Sequence, residues 1–144
     1  MEEKPLVLYI EDNELNRTLM RRVLEHRGYR VEMAEDGSAG LAAVRSLRPA
    51  LVLMDLGIPG TDGYETTRLI KADPDLAAIP VIAVTAFAMT GDRDRALEAG
   101  CDGYITKPID VAAFPREIEK FLRTAVDTRG DEVDSKAPVR TGGG

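Results

Sequence analysis

The sequence predicts an α/β fold: a doubly wound parallel sheet of the (βα)5 kind, with strand order 2-1-3-4-5. Two observations carry this. Short apolar runs alternate with helix-period segments along the chain, the pattern of a parallel sheet with helices on both faces. Three of the runs are nearly continuous in Val, Ile and Leu, as strands are when both their faces are buried. Right-handed crossovers and short loops favour the stated strand order.

The elements follow in turn. The first strand is LVLYI, Leu6 to Ile10. Leu15, Leu19, Val23 and Leu24 then fall on one helical stripe, with Asn13 as N-cap and Gly28 as stop. A weaker strand, RVEMA (Arg30 to Ala34), precedes a helix carrying Leu41, Val44 and Leu47 that ends before Pro49. The third strand is ALVLM, Ala50 to Met54. After it come the turn residues Pro59, Gly60, Asp62 and Gly63, then a helix containing Tyr64, Arg68, Leu69 and Lys71. PVIAVTA, Pro80 to Ala86, is the fourth strand. A short helix with Ala96, Leu97 and Ala99 follows; Asp92 and Asp94 favour its start through the helix dipole, and Gly100 ends it. YIT, Tyr104 to Thr106, is the last strand, and Val111, Phe114, Ile118, Phe121 and Leu122 mark the last helix, with Asp110 near its start. Pro115 lacks an N–H and clashes with a preceding turn, so that helix is expected to start late or bend there.

The 144 residues amount to about one domain. Residues 1–126 are expected to form it, and residues 127–144, polar, Gly-rich and without periodicity, a disordered tail. No apolar run approaches the roughly 18–20 residues of a membrane span, and there is no secretory signal. The single cysteine, Cys101, forms no internal disulfide and reads as an inert core residue; a cytoplasmic location is expected. A net charge of −6 with no Trp argues against nucleic acid as a partner. The only histidine, His26, lies in a charged run and reads as part of a solvated helix face.

In a doubly wound sheet, ligands bind at the carboxyl ends of the strands. Polar residues cluster at those ends: Glu11 and Asp12 after the first strand, Asp55 after the third, Thr85 at the end of the fourth, Lys107 before Pro108 after the fifth. Converging carboxylates repel one another and raise at least one pKa. A hard divalent cation relieves this, and Mg²⁺ prefers one or two carboxylates, a carbonyl and several waters. The turn after Asp55 can supply the carbonyl, with Gly57 the leading choice. A lysine beside acids and a metal points to a further anion such as a phosphoryl group, and a threonine hydroxyl nearby can bond one of its oxygens.

Taken together, Glu11-Asp12, Asp55-Leu-Gly-Ile-Pro59 with Asp62-Gly63, Thr85-Ala86 and Lys107-Pro108 resemble the motifs of a response-regulator receiver domain of two-component signalling, over residues 6 to about 124. EDNELN (Glu11 to Asn16), TAFAM (Thr85 to Met89) and YITKPI (Tyr104 to Ile109) are similar to single-domain members of that family. The resemblance implies a flavodoxin-like receiver fold and a single-domain regulator. Asp55 would accept a phosphoryl group from a histidine kinase or histidine phosphotransfer protein. Mg²⁺, with Mn²⁺ as a substitute, would be held by Asp12, Asp55 and the Gly57 carbonyl, with Glu11 holding a metal-bound water. Lys107, Thr85 and Ala86 would contact the phosphoryl group, Thr85 and Tyr104 would form the switch, and the Lys107–Pro108 bond would be cis. Gly57 and Phe87 sit where the family tunes dephosphorylation. Such a protein is a phosphoacceptor switch rather than an enzyme, limited to single-turnover self-phosphorylation and self-dephosphorylation.

The expected output is phosphorylation-dependent contact with a downstream protein through the last helix–strand–helix face: Gly91 to Gly100, Gly103 to Thr106 and Asp110 to Arg123, with charges at Asp92, Arg93, Arg95, Glu98, Glu117 and Lys120. Neither a membrane nor nucleic acid is an expected partner. Two alternatives stand beside this reading. One is a phosphorelay shuttle or a receiver segment of a hybrid histidine kinase. The other is a flavodoxin-like cofactor binder, against which the acidic first strand–helix loop speaks.

Overall fold

In the computed structural model, which describes residues 4–86 and 91–122, the five strands form one parallel sheet in the order β2-β1-β3-β4-β5. The strands are β1 (Leu6–Ile10), β2 (Arg30–Ala34), β3 (Leu51–Asp55), β4 (Val81–Thr85) and β5 (Gly103–Thr106). The helices between them are α1 (Glu14–His26), α2 (Gly37–Leu47), α3 (Gly63–Ala72) and α4 (Asp92–Ala99). Residues 114–122 are helical and are called α5. The expected tail, 127–144, and residues 87–90 lie outside the described residues, as does Arg123.

Alternation along the strands sorts side chains into two cores. Leu8, Ile10, Val52, Met54, Val81 and Ala83 face α2, α3 and α4, where they meet Val44, Ile70 and Ala96. Val7, Tyr9, Leu51, Leu53, Ile82 and Val84 face α1 and α5, packing on Met20, Leu24, Phe114, Ile118 and Leu122. β1, β3 and β4 are buried along their whole length, as continuous apolar runs in the middle of a covered sheet must be. β2, at one edge, alternates exposed and buried. Helix α2 lies so close to β1 that a Cβ on Gly40 would collide with Ile10.

The helix ends follow their local chemistry. Asn13 caps α1 through Asn16 N–H at 2.9 Å, Asp36 caps α2 through Ala39 N–H at 2.8 Å, and Asp62 caps α3 through Glu65 N–H at 3.1 Å. Pro115 does not bend α5. Residues 111–113 form a turn, Asp110 accepts from Ala112 and Ala113 N–H, and the proline falls in the first helical turn, where a missing donor costs nothing.

One expectation needs correcting. Leu15 and Leu19 are 66% and 52% exposed; the inward residues of α1 are Met20 and Leu24, with Val23 partly buried. The stripe is rotated because α1 must lay its face on Tyr9 and Leu53 beside α5. In α3 the inward residue is Ile70, and Leu69 points outward. Lys71 serves neither core. Its Nζ donates to Ala77 O, Ile79 O and Asp102 Oδ2, and Asp102 also accepts Val81 N–H, so the entry to β4 and the entry to β5 are tied to α3.

Candidate functional site

All the parallel strands end on one edge, and four connections deliver side chains there. Asp55 is the last residue of β3 and is 5% exposed; Glu11 directly follows β1 and is 1% exposed. β1 and β3 are hydrogen-bonded neighbours, so the two carboxylates meet by register rather than by chance. Asp12 is exposed, yet one carboxylate oxygen from each of Glu11, Asp12 and Asp55 lies within 4.8 Å of the others. Lys107 comes from the far side of the sheet, just beyond β5. Its Nζ donates to Glu11 Oε1 at 2.9 Å and to Asp55 Oδ2 at 3.1 Å.

Both buried carboxylates are held at both oxygens. Glu11 Oε1 also accepts from the Tyr9 hydroxyl at 2.8 Å, and Oε2 accepts Asn13 N–H at 3.1 Å. Asp55 Oδ1 accepts Gly57 N–H at 2.8 Å, which closes the turn after β3. Tyr9 was not among the residues expected at the site. Its signal is period two: Tyr9 and Glu11 are two apart, so they project to one face and the hydroxyl reaches the acid.

The charges are unbalanced. Burial resists ionisation of Glu11, but hydrogen bonding with Asp55, Lys107, Tyr9 and the Asn13 amide outweighs it and holds this carboxyl at about 2. Asp55 goes the other way: burial first, then the neighbouring Glu11, push its carboxyl up, against Gly57 N–H and Lys107. Burial opposes the charge on Lys107, yet the two acids keep its pKa above the ordinary lysine value. Burial and Glu11 push the Tyr9 phenol up. Three carboxylates against one ammonium leave excess negative charge at a site made of hard oxygen donors. This donor set fits Mg²⁺.

The remaining expected residues frame the cluster. Thr85 ends β4 and is 3% exposed, next to β3, where Asp55 is in register with Val84. Ala86 follows it and is exposed. The Lys107–Pro108 peptide bond is cis. Tyr104 lies on β5, opposite Ala83, with its ring against the core that faces α2, α3 and α4. Its hydroxyl is buried and without a hydrogen-bond partner among the described residues. Sequence reasoning placed Arg95 among the exposed partner-facing charges. It is exposed, but its guanidinium stacks 4.3 Å from the centroid of the Tyr64 ring, joining α4 to α3.

With this geometry in view, the likenesses to known proteins are specific. The profile described as "Response regulator receiver domain" matches residues 7–119. The polar-differentiation response regulator DivK of Brucella anthropi is 45% identical over 119 residues, spanning 83% of this chain and 97% of the relative. DivK of Brucella ovis is 44% identical over the same shares. Among solved structures, the receiver domain of a sensor histidine kinase from Pseudomonas aeruginosa, with a magnesium ion coordinated in its active-site cleft, superposes with a TM-score of 0.77 at 35% identity, covering 83% of this chain and 98% of that one. A CheY-like receiver domain protein from Methanospirillum hungatei superposes at 0.80 with 27% identity, covering 87% and 98%.

Proposed function

Because this chain belongs to the response regulator receiver family, we propose that Asp55 is its phosphoacceptor and that Glu11, Asp12 and the Gly57 carbonyl complete an Mg²⁺ site around it. The observation that carries the reading is the placement of Asp55: buried at the end of β3, bonded through one oxygen to Lys107 and through the other to Gly57 N–H. Receivers of two-component systems work with histidine kinases and downstream effectors. The transfer breaks a P–N bond on a phosphohistidine and forms a P–O bond to an Asp55 oxygen; the histidine nitrogen keeps the electron pair and takes a proton. A bound Mg²⁺ supplies positive charge that neutralises the transferring group.

The chain's own residues do the rest. Gly57 N–H orients the Asp55 carboxylate. Lys107, shared between Glu11 and Asp55 before transfer, is close enough to follow the new charge onto the phosphoryl oxygens. Thr85, buried on the adjacent strand end, offers a hydroxyl to the same group. Such a site carries out single-turnover phosphorylation and dephosphorylation of itself and acts on no separate substrate. Mn²⁺, another hard cation taking oxygen ligands, substitutes. The readout passes to the face formed by α4, β5 and α5, where Arg93, Tyr104, Asp110, Glu117 and Lys120 border a shallow groove. No helix among the described residues is long and apolar enough to cross a membrane, and the chemistry proposed here belongs in the cytoplasm, where kinase domains meet ATP.

The test is phosphorylation by a small phosphodonor or a phosphorylated kinase, read by intact-protein mass. One phosphoryl group should be added in Mg²⁺ and none in excess chelator, and Asp55→Asn should take up none. Label persisting in Asp55→Asn would sink the assignment.

A further inference from the structure

Three carboxylates make up the acidic cluster, but they are not held alike. Glu11 is tethered by Tyr9, Lys107 and Asn13 N–H, and Asp55 by Lys107 and Gly57 N–H. The Asp12 side chain has no hydrogen bond among the described residues and is exposed. Its direction therefore depends on the backbone that carries it. Arg17, in the first turns of α1, tethers that backbone at the peptide before Asp12: it donates from Nη1 to Glu11 O at 3.0 Å. The Glu11 carbonyl and the Asp12 N–H belong to one rigid peptide plane. Fixing the carbonyl fixes the plane and the Asp12 N–Cα bond within it, which leaves only rotation about that bond to set where the Asp12 side chain leaves the chain. The Arg17 side chain is 20% exposed, and its Nη2 lies 3.9 Å from Oε2 of Glu35, an exposed carboxylate on the loop that follows β2.

We propose that Arg17 is a positioning residue for the metal site, holding the Glu11–Asp12 peptide so that the Asp12 carboxylate points at the cation. The inference rests on the Mg²⁺ site described above. Its sign separates it from plain electrostatics. A guanidinium near a divalent cation repels it, so if Arg17 acted through charge alone, removing it would tighten Mg²⁺ binding. If it acts through geometry, removing it loosens binding.

The experiment is an Mg²⁺ titration of the full chain followed by backbone amide chemical shifts, with melting temperature recorded for each variant. Wild type should show saturable shifts at Glu11, Asp12 and Asp55; their absence would overturn the metal site itself rather than the role of Arg17. Given those shifts, Arg17→Met should weaken Mg²⁺ binding by about tenfold, the low end for losing an outer-shell partner of a metal ligand. Arg17→Lys, which keeps a donor as well as the charge, should recover most of that loss. In an Asp12→Asn background, Arg17→Met should change Mg²⁺ affinity by less than about twofold, since the carboxylate it aims is gone. Affinity unchanged or tightened in Arg17→Met overturns the proposal. So does a tenfold loss that persists in the Asp12→Asn background. Should Arg17→Met fail to fold, Arg17→Leu, which likewise removes both the charge and the donor, carries the same comparison and the same two overturning results.

Discussion

The carboxyl edge of the sheet has two halves built on opposite terms. On the β1–β3 half the buried polar groups are engaged: both oxygens of Glu11, both of Asp55, the Tyr9 hydroxyl and Lys107 Nζ form one network. On the β4–β5 half, among the described residues, less apolar surface anchors the helix. Helix α4 has eight residues, buries only Ala96 and Ala99, and has Gly91 at its N-cap, which offers no side-chain cap. Beside it the Tyr104 hydroxyl is buried without a partner among the described residues. The difference separates two tasks. Chemistry requires groups already in place, because reorganisation at the moment of reaction raises the barrier. A readout requires an element whose two arrangements differ by little, so that one new charged group can shift the balance.

The largest way to break the first half is to remove its only lysine. Lys107→Met leaves two buried carboxylates facing each other. In metal-free protein at neutral pH it should cost about 3 kcal/mol, read by denaturant unfolding, because an uncompensated buried charge is costly. Saturating Mg²⁺ should restore much of the loss by supplying the missing positive charge. A metal-independent loss would mean that Lys107 acts through packing.

Asp55→Asn perturbs the same network in the opposite direction. The Asp55 carboxyl is pushed up by burial and by Glu11, so its ionisation disfavours the folded state. Neutralising it should stabilise metal-free protein at pH 7 by on the order of 1–2 kcal/mol, within the range for replacing a poorly compensated buried charge. The sign with pH follows from the shift. A raised folded pKa places the penalty above the ordinary aspartate range, growing as pH rises through the folded value and absent well below the unfolded one. The advantage of Asp55→Asn should therefore shrink as pH falls toward the ordinary aspartate value. Glu11, held at about 2, contributes in the other sense: its stabilisation is complete above the ordinary glutamate pKa and is lost as pH falls toward 2.

A single substitution made in both halves sharpens the contrast further. Tyr9→Phe removes a hydroxyl that donates to an ionised carboxylate at 2.8 Å and should cost roughly 1.5 kcal/mol or more. Tyr104→Phe removes a buried hydroxyl that has no partner among the described residues and should be neutral or stabilising, by up to about 1 kcal/mol. Equal costs at the two positions would show that the Tyr104 hydroxyl has found a partner in solution.

How much of this was legible beforehand also divides by region. The strands and their order were readable because buried parallel strands are continuous apolar runs; β1 and β2 match residue for residue, and β3, β4 and β5 differ by a residue at one end or both. The acids and Lys107 were readable because a charged residue ending an apolar run has few packing explanations. Helix faces were less so. In α1 the sequence offers Leu15, Leu19, Met20, Val23 and Leu24, enough apolar residues for two overlapping stripes, and only the neighbouring α5 decides that Met20 faces in and Leu19 out. Tyr9 hid inside a run read as pure core. Arg17 carries no spacing signal at all, since its partner is a backbone carbonyl six residues away. Arg95 read as a solvated charge because a stack on Tyr64 from another helix has no local signature.

That stack supplies the smallest test and the one aimed at the weaker half. With two alanines as its buried contacts, α4 gains little apolar burial, so a contact elsewhere in the molecule too weak to notice becomes a sizeable fraction of what holds this helix. A partly exposed cation–π pair contributes about 0.5–1 kcal/mol. A double-mutant cycle over Tyr64→Leu and Arg95→Met should return a coupling of that size, falling little with added salt because the ring carries no net charge. The loss should also be local. Amide exchange in α4 should speed up several-fold while β1 and β3 keep their protection, since sub-global opening exposes only the element whose anchoring was cut. Exchange that accelerates equally across the sheet would mean that α4 and the acidic half form one cooperative unit, and the division between them would fail.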